Sequence, residues 1–411
     1  MRPPLQLSIN RHHWTMSGPS APVPSAPTTS TMFGNSAPGI PTSQPAPSLP
    51  CPPIVILEDN EVNLQDLLSI LSNKVIHFTT PANQINIMRD RVLEGALRAF
   101  GRRRFDPGSK LDVVFQDSEG SGEGAADEGG PTREFLRLLM REIHSYEIFE
   151  GPDWNKILAC NCQALYSGKY RLVGSMIAMC IAHGGVEPQF FSQRLYHQVC
   201  GLPAPEPQIH EIVDYSFKDK LLKIQSAETE EKAMEAIMEA SIELFHGRLQ
   251  EMIDQFKEGL GCLGLLGLLK RHFAIFNEIL MHHPRPLTAK DIAELFKACM
   301  SPVGSNRRAA ENRAICFWKD WLLEVEELSS YPLTLETLLV FTSGASAIPR
   351  LGFPVEPQLE FLHAQVGEPQ HIFPEANTCS IVLRLPIHTS YEVWKENMES
   401  GILQSPTFGT A

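Results

Sequence analysis

The chain has 411 residues, 43% hydrophobic and 20% charged, which gives length and apolar content for two or three domains with real cores. A formal net charge of −13 leaves no general electrostatic footprint for nucleic acid, and the densest basic run, Arg102-Arg103-Arg104, reads as a solvated helix end. The longest apolar stretch, residues 260–269, is broken by Gly261, Gly264 and Gly267 and falls far short of the roughly twenty residues that cross a bilayer, so no membrane association is expected.

Nine cysteines, an odd number at irregular spacing, do not read as a disulfide framework. Reduced thiols in a cytoplasmic or nuclear protein are the expectation, and no basic flank with an apolar stretch marks a signal peptide. Cys160-Asn161-Cys162 is one close pair without a second to complete a zinc site, so no metal or cofactor is expected.

Residues 15–53 carry eleven prolines and no charge, a composition that cannot offset its ordering entropy by burial, so residues 1–53 read as a disordered Pro/Ser-rich tail. Residues 54–85 form a short lead-in. Ile54-Val55-Ile56-Leu57 predicts a strand, and Leu64, Leu67, Leu68 and Leu71 predict an amphipathic helix. Apolar spacing from Ile85 to Phe100 predicts a second helix, and residues 111–115 a strand. The glycine-rich stretch 119–130 resembles a phosphate loop only superficially. No Lys-Ser or Lys-Thr follows it, and Glu119, Glu123, Asp127 and Glu128 would repel phosphate, so a structural turn is the reading.

Pro131 suits a first helical turn, with Phe135, Leu138, Leu139 and Ile143 on the buried face. Two further helices are predicted over 170–181 and 188–199, and a long one between 228 and 260 whose apolar stripe includes Met252, Ile253 and Phe256. Thr288 caps a helix through Ile292 and Leu295. Ser301-Pro302-Val303-Gly304-Ser305-Asn306 marks a linker, and the domain boundary is placed there. Beyond it, 314–323 predicts an amphipathic helix, 335–341 another apolar segment, and 380–385 the clearest strand.

Near the end stand Asn377-Thr378-Cys379-Ser380-Ile381-Val382 and, the fourth residue from the end, Phe408. Read alone, a Cys that opens an apolar run is a small buried hydrophobe. Far upstream stand Arg89, Arg91 and Gly129-Gly130-Pro131-Thr132-Arg133-Glu134-Phe135. They are followed by Phe149-Glu150, Tyr170, Gly174, His183-Gly184 and Gly201, then by Phe317-Trp318, Phe341-Thr342-Ser343-Gly344, Pro349 and Gly352-Phe353. Each match is modest alone. In this order, around a Thr-Cys, the set resembles the HECT family of ubiquitin ligases over residues 86–411.

That resemblance implies an α+β, bilobal domain: a large, mainly helical N-terminal lobe (86–300), a hinge (301–306) and a small α/β C-terminal lobe (307–411). It implies that Cys379 carries ubiquitin as a thioester, with Thr378 beside it and Phe408 helping to position the lobes. The implied partners are ubiquitin, a ubiquitin-conjugating enzyme and a protein substrate that the sequence does not identify. There are departures. Asn377 stands where the family has His, Ser380 and Ile381 where it has Phe and Asn, and Arg384 where an acid is common. Residues 205–285 lack the family's Asp-Leu-x-Leu-x-Phe docking hairpin.

The chemistry asks little of the residues around the thiol. Thiolate attack on an arriving thioester expels another thiolate, so a partly exposed Cys suffices without a fixed triad. Thr378 is a hydrogen-bond donor to the thiolate or oxyanion, or caps the loop. Attack by a lysine needs a neutral amine, for which Glu375 is the local base, unless it is a plain surface charge. Two rivals remain: a catalytically weak HECT-like scaffold that binds ubiquitin or substrate, and a Cys hydrolase, for which His371 and His388 are the nearest candidate bases.

Overall fold

The computed structural model describes residues 62–76, 82–117, 119–122, 127–205, 250–328, 332–364 and 371–405. The expected tail 1–53, the strand at 54–57, most of the long helix over 228–260 and Phe408 lie outside these residues. The chain is of the α+β class, with its described elements gathered around two hydrophobic cores.

The first core begins with α1 (Leu64–Ser72), closed at its start by a capping box between Asn63 and Asp66. A parallel pair follows, β1 (Asn83–Ile87) beside β2 (Leu111–Phe115), with α2 (Val92–Phe100) between them. The helix expected over Ile85–Phe100 is therefore a strand and a shorter helix. Asn83-Gln84-Ile85-Asn86-Ile87 alternates with a period of two and buries Ile85 and Ile87, and the spacing of Ile85 and Met88 mimicked a helical repeat.

Next comes α3 (Gly130–His144), then the hairpin β3 (Phe149–Glu150) and β4 (Ile157–Leu158), and α4 (Cys162–Tyr166). The largely buried α5 (Lys169–Ala182) is followed by α6 (Gln193–Cys200). Residues 188–192, expected as helix, are not helical: Phe190 and Phe191 are buried, and Ser192 caps α6. The core closes with α7 (Gln250–Leu260), α8 (Leu265–Arg271) and α9 (Phe273–Leu280).

The second core is built on α10 (Ala289–Leu295), β5 (Lys297–Ala298), α11 (Asn306–Glu327), α12 (Leu335–Ser343), β6 (Gln358–Leu362), β7 (Glu375–Asn377), β8 (Val382–Pro386) and α13 (Tyr391–Gln404). The sheet order is β5-β6-β8-β7, parallel except for the β7–β8 pair. Trp318, Trp321 and Trp394 fill the space between α11 and α13, and both fully buried indoles find acceptors, Trp321 on Glu399 at 3.1 Å and Trp394 on the Pro386 carbonyl at 3.1 Å.

The boundary differs from the expected 301–306. Thr288 caps α10 as the sequence suggested, in a capping box with Asp291, but Ala289, Ile292 and Phe296 belong to the second core and β5 pairs with β6. Ser301 is tied to buried Glu311 through its backbone N–H at 2.8 Å and its hydroxyl at 2.5 Å. The passage between the cores runs instead through residues 281–288, none of them buried. Proline and glycine at 302–304 signalled a turn inside a domain.

Helix α3 is fixed from three directions. Asp127 caps its start, accepting from Gly129 at 2.8 Å and from the Thr132 hydroxyl, while it also accepts from Val113 of β2 at 3.0 Å. Glu142 accepts from the first two amides of α2, Val92 at 3.1 Å and Leu93 at 2.7 Å. Glu134, 1% exposed, accepts from Arg89 Nε and Nη2, each at 3.0 Å, and Arg89 lies over the Phe115 ring at 4.1 Å. Removing one partner of a buried pair leaves a charge without compensation. Glu134→Ala is expected to lower unfolding free energy by about 3 kcal/mol, the low end for such a change, because Arg89 keeps a fifth of its side chain in water. Urea unfolding checks this, and a loss under about 1 kcal/mol would show that the pair is not structural.

Candidate active site

Cys379 sits in the turn that joins β7 to β8, where Asn377 faces Val382 across the ladder. Two features shape this turn. The Asn377 side chain accepts from the backbone N–H groups of Cys379 and Ser380, both at 3.1 Å, a local Asx turn that holds the loop tightly. Ile381 then takes a φ of 54°, the left-handed region, while its side chain is fully buried. A β-branched residue there costs on the order of 1–3 kcal/mol, and burial in the second core offsets it. The Ile381 carbonyl accepts from Gln358 at 2.9 Å, so the strained residue is also held by β6. The strand expected from Ser380 thus begins at Val382, and Cys379 is left half-exposed at the tip.

The Thr-Cys motif and the Gly-Gly-Pro-Thr-Arg-Glu-Phe motif, some 250 residues apart, meet here. Gly129 needs its glycine for a φ of 110° at the helix entry. Gly130 needs none for its own backbone, yet a Cβ there would lie 2.5 Å from the Thr378 hydroxyl oxygen and 3.3 Å from Cys379 Sγ. One turn along, Arg133 donates Nε to the Ser343 carbonyl at 2.8 Å and Nη2 to the Thr378 carbonyl, and its guanidinium lies 6.0 Å from the Phe353 ring. Arg137 donates to the Gly344 carbonyl at 3.2 Å. The C-terminal carbonyls of α12, the negative end of that helix, therefore rest on two arginines. Burial lowers the pKa of Arg133, opposed by the charges of Cys379 and Asp127; burial also lowers that of Arg137. Both remain cations.

The sequence-predicted residues are placed as follows. Thr378 is buried with its hydroxyl against Gly130. Glu375 accepts from His371 Nδ1 at 2.7 Å and lies 3.7 Å from Arg384, so it is held by a hydrogen bond and an ion pair. Arg384 pairs with Glu360 at 2.9 Å, facing it across β6–β8, and bridges to Glu375 across β7–β8. The His388 ring meets the Ile372 carbonyl at 3.0 Å. Among the described residues neither histidine bonds Cys379, and no three His, Cys, Asp or Glu side chains form a metal-binding group. Burial raises the Cys180 thiol to about 12 and those of Cys200 and Cys262 to about 11, which keeps all three protonated at neutral pH.

Residues 316–411 match the family model described as HECT-domain (ubiquitin-transferase). The chain is 30% identical over 346 residues to the G2/M phase-specific E3 ubiquitin-protein ligase of Homo sapiens, covering 77% of this chain and 46% of that protein. It is 29% identical over 360 residues to the protein of the same name from Gallus gallus, covering 80% and 46%. Against E3 ubiquitin-protein ligase Smurf1 of Drosophila melanogaster it is 22% identical over 366 residues, covering 79% and 34%. Over about four-fifths of its length the chain is thus similar to E3 ubiquitin-protein ligases, with the HECT-domain match in its C-terminal part. It spans about half the length of the first curated relatives it matches.

Sequence reasoning missed a further contact of this chain. Arg350 reaches from the second core to the first, where it meets Glu187 at 2.6 Å and Glu278 at 2.5 Å. Beside it a cleft of about 460 Å³ runs between the cores, lined by Leu68, Val186, Ile279, Leu287 and Ile348. The Arg350 hydrogen bond holds the Glu278 carboxyl below its usual 4.5. A depressed folded-state pKa contributes stability above the usual value and loses it as pH falls through the lowered one. Docking of the two cores is therefore expected to hold at neutral pH and weaken in acid below about pH 4.5. Arg350→Ala is expected to cost docking about 1–3 kcal/mol at neutral pH. Hydrogen exchange at 184–189 and 343–351 reads both effects, and unchanged exchange would remove Arg350 from the docking contact.

Proposed function

We propose that this chain is a HECT-type ubiquitin ligase that accepts ubiquitin from a conjugating enzyme as a thioester on Cys379 and passes it to a substrate lysine. The observation that carries this reading is the Cys379 turn itself: a half-exposed thiol at a hairpin tip, in the stretch that matches the family model, beside a guanidinium and the positive end of α3. The relatives' names as E3 ubiquitin-protein ligases support the same activity. The departures do not argue against it: Asn377 forms the turn that presents the thiol, and Arg384 makes two ion pairs within the sheet. Thr378 then serves to seat the loop, and Glu375, already paired, is poorly placed to act as a base.

Charging and transfer bring Cys379 to two different partners, so the two cores must change their relation. We place the hinge at 281–288, the unburied passage between them. Of the region expected to receive the conjugating enzyme, about 205–285, residues 206–249 lie outside the described residues.

Mixed with ubiquitin-charged conjugating enzyme, the purified chain is expected to form a reducible ubiquitin adduct that Cys379→Ala abolishes and Cys316→Ala leaves, read on a non-reducing gel. An adduct that survives Cys379→Ala would move the site elsewhere. Absence of any adduct would favour the scaffold reading, and loss of a pre-made ubiquitin chain would favour the hydrolase.

Phe408 lies outside the described residues. Its ring, if docked, is worth roughly 1.5–3 kcal/mol, enough to bias an arrangement of the cores without holding the fold. Deleting 408–411 is expected to leave Tm and adduct formation nearly intact and to slow lysine transfer by about tenfold or more. Full-rate transfer would show the ring idle, and a failure to fold would show it to be ordinary core.

A further inference from the structure

Gly130 and Arg133 have so far entered only as contacts between the cores, yet they flank the thiol. Gly130 is the first residue of α3 in ordinary helical backbone, so alanine would suit the helix better there. What excludes a side chain is the other core, with Thr378 Oγ1 and Cys379 Sγ occupying the space. Arg133 fastens the same loop by its Thr378 carbonyl and the end of α12 by its Ser343 carbonyl. The result is a fitted seat for the Cys379 turn at the positive end of a fifteen-residue helix.

The two half-reactions use such a seat in opposite ways. In charging, the Cys379 thiolate attacks the incoming thioester carbonyl, its C–S bond forms, and the electron pair leaves on the conjugating enzyme's sulfur. Negative charge departs from Cys379. In transfer, the lysine nitrogen attacks the Cys379 thioester carbonyl, the C–N bond forms and the C–S bond breaks. The electron pair returns to Cys379 Sγ, and the amine's proton passes to water. A fixed positive field at Cys379 stabilises the charge that develops in transfer and opposes its loss in charging.

We propose that Gly130 and Arg133 are positioning residues for the transfer half-reaction, forming the seat in which the Cys379 thioester is cleaved, with charging carried out when the loop is away from it. This rests on the thioester reading above. The other charged groups around the loop do not supply this field. Asp127 is committed to the cap of α3, Glu128 is exposed, and Glu375, His371, Arg384 and Glu360 are paired along the sheet. On α12, Glu336 acts on Arg137.

The experiment is a single-turnover pulse–chase on the full chain, charged from a ubiquitin-loaded conjugating enzyme and chased with free lysine, in which charging and discharge rates are read separately. In Gly130→Ala and Arg133→Gln the ratio of discharge to charging is expected to fall by about tenfold or more. Arg133→Lys, which keeps the charge but not the fork that serves both carbonyls, is expected to fall between Arg133→Gln and the wild-type ratio. Gly130→Ala is expected to keep its Tm within about 3 °C of wild type, since its clash lies between cores and not within one. A wild-type ratio in both Gly130→Ala and Arg133→Gln, or an equal loss in both steps, overturns the seat. A wild-type chain that never charges overturns the thioester reading and the seat with it.

Discussion

Everything at the candidate site depends on one helix being held still. The first turn of α3 carries Gly130 and Arg133, and the second core docks on that turn through the Thr378 loop and the last carbonyls of α12. An arginine can serve two carbonyls that belong to different elements because its donors lie in a rigid fork. That works only if the helix itself does not shift. Asp127 ties its start to β2, Glu134 ties its middle to Arg89, and Glu142 ties its end to α2. The first core thus spends three carboxylates on immobilising the helix that faces the thiol.

The second core solves the complementary problem, presenting a thiol at a fixed place without burying it. A short hairpin turn would normally be a loose element. Here Asn377 closes one side of it through two amides, and Ile381 closes the other by burying its side chain from a left-handed backbone. Apolar burial outweighs the backbone strain, so the loop is held by the core beneath it. Cys379 is then left half-exposed at the tip beside exposed Ser380, between the asparagine that caps the turn and a buried isoleucine.

Much of this was legible in the sequence, and the rest was not for identifiable reasons. The helical stripes of α1, α3 and α12, the Thr288 cap and the β2 strand follow from periodicity and capping chemistry, which are local. Strand β1 was misread because Ile85 and Met88 satisfy a helical spacing by coincidence, and only pairing with β2 selects the strand. The 301–306 boundary was misread because a Pro-Gly turn within a domain has the same composition as a linker. Only the packing of Ile292 and Phe296 against Trp318 and its neighbours separates the two. At the site, the motif named Gly130 and Arg133 without a role, since the partner that gives them one is about 245 residues away. Arg350 carried no signal at all, because an arginine after a proline looks the same whether solvated or locked between Glu187 and Glu278.

The departures from the family pattern are best understood as exchanges between neighbours. Arg384 faces Glu360 on one side and Glu375 on the other, so the strand register places two acids where this one base can serve both. An acidic residue at 384 would instead put three like charges side by side across adjacent strands, which is destabilising. His371 adds a further hydrogen-bond donor to Glu375 in the same cluster. The change at 384 is therefore coherent with the residues around it, and it lies within the sheet that supports the turn. Asn377 is a parallel case at the turn itself, where a short amide side chain reaches both following N–H groups and fixes the loop. Asn377 thus fixes the turn that carries Cys379, and Arg384 ties together the three strands that support it.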